Sequence, residues 1–147
     1  MKFQLAQINI GRIVAPMDSP VMAGFKNNLD KINQLAEQSA GFVWRLRDDS
    51  NNATSLKFFE DDRLILNMSV WESIDALMNY CYKTEHVEFL KNRANWFEKM
   101  DEAHMALWYI PAGHIPTPAE AIERLSHLRT HGESEHAFTF RKKFTPA

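Results

Sequence analysis

Two side chains, His86 and Arg93, stand out for chemistry because their spacing puts an imidazole and a guanidinium on one stripe of a helix. Residues 86, 89, 90, 93, 97 and 100 recur at steps of three, four and seven, which is one helical face. They are His86, Phe89, Leu90, Arg93, Phe97 and Met100. Polar groups among apolar neighbours are costly unless partnered, so this pair has two readings. Either it lines a pocket, with His86 as acid or base and Arg93 stabilising an anionic or enolic oxygen, or it is a structural pair held by an acid or by a second chain.

Aromatic residues form the second constellation: Trp44, Trp71, Tyr80, Tyr82, Trp96, Trp108 and Tyr109. With Phe89, Phe97 and the strand-borne Asn9, the rings of Trp44, Tyr80 and Trp108 are candidate ligand contacts for a flat hydrophobic molecule. The alternative is core packing. A third set, Glu123, His127 and His131, lies at successive steps of four, a spacing that can place two imidazoles on one metal. Arg124 and Arg129 lie beside it, and histidines near a helix C-terminus are favoured by the dipole, so a solvated face is the reading and no metal is expected. His114 is expected to fix the geometry of its turn. Cys81, on an apolar helical face, is read as a small core residue.

These residues need elements to hold them. Phe3 to Ile10 is a β-prone first strand, and Met22, Phe25, Leu29, Ile32 and Ala36 mark an amphipathic helix after Ser19-Pro20, with Ser19 as cap. Phe42–Arg47 and Leu64–Trp71 read as strands joined by a long polar hairpin. The helical period returns over Glu72–Tyr82, breaks near Lys83-Thr84 and resumes over Glu85–Met100. His104–Ile110 is a fourth strand. Thr117 caps a helix that starts at Pro118 and stops at Gly132, and Ala137–Lys142 closes the chain as a strand. The order predicts one domain over residues 1–147, a ferredoxin-like α+β sandwich with an extra C-terminal helix and strand. Strands apolar on both parities imply two faces to cover, and a homodimer packing sheet on sheet is the simplest cover.

Composition bounds the function. A chain of 147 residues with 45% apolar content builds one core, and a net charge of −2 gives no field for nucleic acid, which is excluded as a partner. No apolar run reaches the roughly 18 residues that a membrane span needs, and the N-terminus lacks the order of a signal peptide. A single cysteine precludes an internal disulfide. A cytoplasmic location is therefore expected, with no membrane partner.

The stretches VWESIDALMNY (Val70–Tyr80) and EHVEFLKNRANWF (Glu85–Phe97) resemble the dimeric α/β-barrel superfamily. It includes antibiotic-biosynthesis and quinol monooxygenases, haem-degrading monooxygenases, and small isomerases and cyclases. The tail ALWYIPAGHIPTPAEAIERLSHLRTHG, then AFTF, is similar to a bacterial family known as a domain of unknown function. The haem-degrading pattern of a strand-one Asn, a helical Trp and a downstream His is not kept: Tyr80 and Leu90 stand at the last two positions. The resemblance thus implies a small-molecule protein without haem or other cofactor. It would be monooxygenase-like or isomerase-like, or a non-catalytic binder or sensor, and its ligand a small hydrophobic or aromatic molecule.

Overall fold

The protein is seen in a computed structural model that describes residues 2–16, 18–47, 63–84 and 86–145, with the side chains of 88–90 excepted. The hairpin expected between the second and third strands lies largely outside those residues. Strand β1 (Phe3–Arg12) is central, flanked by β3 (Leu64–Trp71) and β4 (Met105–Pro111), while β2 (Phe42–Arg45) pairs with the far side of β3. All pairings are antiparallel, in the order β2-β3-β1-β4, the ferredoxin-like arrangement. Helices α1 (Ala23–Gln38), α2 (Ile74–Lys83), α3 (His86–Lys91), α4 (Arg93–Trp96) and α5 (Pro118–His131) complete the fold.

Strand alternation sorts the sheet into two chemically different faces. Ala6, Ile8 and Ile10, with Leu66, Met68, Val70, Ala106, Trp108 and Ile110, form a wholly apolar face that packs on Ala121, Leu125 and Leu128 of α5. On the other face Leu5 and Trp71 meet Ile32 and Ala36 of α1 and Leu77 and Tyr80 of α2. That second face turns polar along its length. Register sets Gln7 beside Ser69 and Asn9 beside Asn67, which leaves a strip of amides and a hydroxyl under the helices.

Two expectations are corrected. The helix predicted over Glu85–Met100 breaks at Asn92 (φ −94°, ψ 3°) and ends at Trp96, because the chain beyond it pairs with the end of β1. Phe97 bridges Ile13, the amide of Val14 donates to the Trp96 carbonyl at 2.9 Å, and that of Glu98 donates to Arg12 at 2.8 Å. The strand predicted over Ala137–Lys142 contracts to one bridge, Phe138 to Leu107, closed by hydrogen bonds of 2.7 and 2.9 Å. The apolar face of the sheet is covered by α5 of the same chain.

Local signals elsewhere act as read. Thr117 accepts the Glu120 amide at 3.1 Å, Pro118 opens α5, and Gly132, at φ 77°, takes the left-handed turn that ends it. Ser19 precedes a short 3-10 turn, Pro20–Met22, and makes no capping hydrogen bond. None of the described helices is long and apolar enough to cross a membrane.

Candidate functional site

Between the polar face of the sheet and its helices lies a cavity of about 920 Å³. Its floor is the amide strip of β1 and β3, in which the Gln7 amide donates to Asn67 Oδ1 at 2.7 Å and to Ser69 Oγ at 2.8 Å. The Trp71 indole donates to the same Ser69 hydroxyl at 2.8 Å, which fixes that ring in the wall. Asn9 also lines the cavity, half-buried, and its carboxamide has no hydrogen-bond partner among the described residues.

Tyr80 carries one wall. Its ring stacks on Trp71 at 5.1 Å between centroids, and its hydroxyl donates to the Ile32 carbonyl at 3.2 Å, tying α2 to α1. Burial raises its pKa, so the phenol keeps its proton. His86 follows, tilted against Tyr80 at 4.6 Å, with Nδ1 lying 3.3 Å from the Cys81 carbonyl. A carbonyl only accepts, so Nδ1 carries the hydrogen in the neutral ring. Burial lowers the His86 pKa, and the bond to Cys81 opposes that only in part. The result is an imidazole that is neutral at physiological pH, the form a general base needs.

Arg93 enters from α4. It lies half-buried with its guanidinium carbon 4.8 Å from the Phe97 ring centre. No carboxylate pairs with it among the described residues. Burial lowers its pKa, although a guanidinium remains charged. His104, just before β4, lines the same cavity and is pushed towards neutrality by burial and then by the Arg93 charge. Cys81 borders the cavity too, but burial pushes its thiol up to about 12, which leaves no reactive thiolate.

Of the eight candidates, His86, Arg93, Asn9, Tyr80 and Phe97 meet around one cavity. Trp108 does not. It lies fully buried on the opposite face, donating to Glu120 at 3.0 Å, and His114 holds the other oxygen of that carboxylate at 2.8 Å. Even numbering puts Trp108 on the α5 side of β4, so it anchors that helix. Trp44 packs half-buried against the same apolar cluster. The Phe89 side chain lies outside the described residues. The residues missed were Gln7, Asn33, Ser69 and His104, while Trp71 had been read in the aromatic constellation without being named a ligand contact; the shared parity of Gln7, Asn9, Asn67 and Ser69 was the available signal.

The histidine stripe of α5 does something else. The His127 ring lies 4.5 Å from both His131 and His136. His136 is held by Glu123 at 2.7 Å and Arg124 at 3.1 Å, so both its nitrogens are engaged and a fixed cation sits beside them. Among the described residues no group of three has the geometry to hold a metal ion.

The family model for a domain of unknown function, DUF3291, matches residues 4–147. The chain belongs to that family. No curated protein matches this DUF3291 chain significantly. Among solved structures it is similar to Rv0793 from Mycobacterium tuberculosis, at 11% identity and a TM-score of 0.51, with 78% of this chain and 99% of that one covered. A Nitrosomonas europaea protein assigned provisionally as an antibiotic biosynthesis monooxygenase aligns at 9% identity and a TM-score of 0.50, covering 76% and 91%. SnoaB, a cofactor-independent oxygenase from Streptomyces nogalater, aligns at 13% and 0.48, covering 76% and 95%. The DUF3291 chain therefore shares the ferredoxin-like fold of these solved structures. At such identities a likeness speaks for fold and not for reaction.

Proposed function

We propose that this protein is a cofactor-independent enzyme, monooxygenase-like or isomerase-like, acting on a small flat hydrophobic molecule that carries an acidic oxygen. The observation that carries this reading is Arg93: a half-buried guanidinium in a cavity wall, with no acid beside it among the described residues. Leaving a cation without a carboxylate in partly desolvated surroundings costs stability, and an anionic ligand oxygen would recover it. Apolar and aromatic walls fit a flat ring, and a volume of about 920 Å³ is ample for one.

His86 supplies the second half. Its neutral ring can take a proton from a phenol or from a carbon next to a carbonyl, while Arg93 holds the oxyanion that forms. An enolate or phenolate made this way is electron-rich. Returning the proton at another carbon completes an isomerisation; alternatively dioxygen adds at the carbon that lost its proton to give a hydroperoxide, which loses water as the second hydrogen of that carbon leaves, so that a CH2 becomes a carbonyl and the substrate itself supplies all four electrons.

A second reading, a binding or sensing protein with the same cavity, is favoured by one contact. His86 already spends Nδ1 on Cys81 and one ring face on Tyr80, which a structural imidazole would also do.

A screen of phenols, quinols and short aromatic acids by thermal shift, run on wild type, His86→Ala and Arg93→Ala, tests both. We expect Arg93→Ala to melt close to wild type and to lose the ligand-induced shift, and His86→Ala to keep the shift and lose turnover. If no compound is turned over but Arg93 still controls binding, the sensor reading stands. If both variants melt far below wild type, by about 3–5 kcal/mol as for a broken buried ion pair, and nothing shifts the wild type, these residues are architecture.

A further inference from the structure

Asn33 is a polar residue in a place that favours an apolar one. It sits in the interior of α1, where asparagine is a poor helix former, and it is only 8% exposed. Its carboxamide makes no hydrogen bond to any described residue. A buried amide in that position costs stability that leucine, of similar size, would not. Its location explains the expense: Asn33 lines the cavity, one residue after the Ile32 carbonyl that holds Tyr80, and Tyr80 in turn lies against His86. One turn further along α1, Glu37 is taken by the buried Arg45 at 2.9 Å, so the neighbouring polar group on that face is satisfied and Asn33 is not.

We infer that Asn33 is a specificity-determining residue that reads a neutral hydroxyl on the ligand bound in the His86 and Arg93 cavity. The inference rests on the proposed binding of an acidic aromatic molecule there. A carboxamide presents an acceptor and a donor side by side, and a hydroxyl is a small ligand group that can satisfy both. Asn9, on the sheet floor below α1, offers a second carboxamide without a described partner. The ligand is thus an aromatic acid or acidic enol that also carries a hydroxyl, with Arg93 meeting the charge and Asn33 the neutral oxygen. Apolar rings lacking that hydroxyl would leave the amide unpaired and be discriminated against.

The test uses 2-naphthoate and its positional hydroxy isomers as probes, with binding measured calorimetrically on the full chain. At least one hydroxy isomer should bind wild type about tenfold more tightly than 2-naphthoate, the scale of one good hydrogen bond. Asn33→Leu should bind 2-naphthoate more tightly than wild type does, since no amide is then left unpaired, and lose the hydroxyl preference. Arg93→Met should weaken parent and isomers alike, which separates the two claims. Without any ligand, Asn33→Leu should melt at or above the wild-type midpoint, since it removes an unpaired amide and improves the helix. A lower midpoint, or a hydroxyl preference that survives in Asn33→Leu, overturns the inference while leaving the Arg93 reading intact. Failure of every probe to bind wild type overturns both.

Discussion

His86 is the residue at which stability and function meet the same equilibrium. Burial lowers its pKa from the ordinary 6.5, so the unfolded chain binds the proton more tightly than the folded one. Between the lowered folded value and 6.5 the unfolded state therefore gains protons first, and stability falls as pH drops through that window. His104 shifts in the same direction, burial being the largest cause and the Arg93 charge the next. Urea midpoints should accordingly decline from pH 7.5 to pH 5, and His86→Gln should make the decline shallower. A slope unchanged by that substitution would show the imidazole to be solvated. Chemistry should follow the same sign, since acidification protonates the proposed base and activity should fall with pH.

Elements place these residues, and here local and tertiary signals competed. The boundaries of α5 were legible because Thr117, Pro118 and Gly132 act through their own backbones and need no partner. The end of the helical run after residue 85 was not legible. Its period of three and four continues through Phe97, yet the chain turns extended at Phe97, which bridges Ile13 just beyond β1 while the Phe25 ring meets those of Trp96 and Phe97 edge-on at 5.8 and 5.2 Å. Propensity is a weak prior against such packing. The site was half legible for the same reason: His86, Arg93 and Phe97 share a cavity, but a broken helix and a bridge bring them there, and Trp108 was lost to the other face. Gly11 permits the arrangement, since a Cβ built there would stand 2.5 Å from a carbon of the Phe97 ring. Gly11→Ala should push that segment off β1 and destabilise by about 1–3 kcal/mol, as overpacking does. Pairing it with Phe97→Leu should recover part of the loss, and strictly additive melts would show that the two sites do not touch.

At the scale of the molecule the sheet is a divider, with chemistry on one face and cohesion on the other. The cohesive face closes within the chain: α5 lays Ala121, Leu125 and Leu128 on it, and its strand residues from Ala6 to Ile110 are at most 4% exposed. Large exposed apolar side chains among the described residues are Val21, Val43, Tyr82 and Ile115, spread over four separate segments. Among the described residues these four form no second sheet-sized patch to drive assembly. Light scattering at micromolar concentration should thus report a single chain of 17.1 kDa. Leu125→Glu makes the stronger test, because it places a carboxylate in the seam between α5 and the sheet, where Leu125 is 3% exposed. An unpaired charge there should cost about 3 kcal/mol or more and loosen the helix. Once α5 is displaced, the bared apolar face should recruit a second chain, so the variant should melt early and scatter as a dimer or larger species. A variant that melts with the wild type would mean that α5 does not cover its own sheet, and a wild type of twice the mass would put the second chain back on that face.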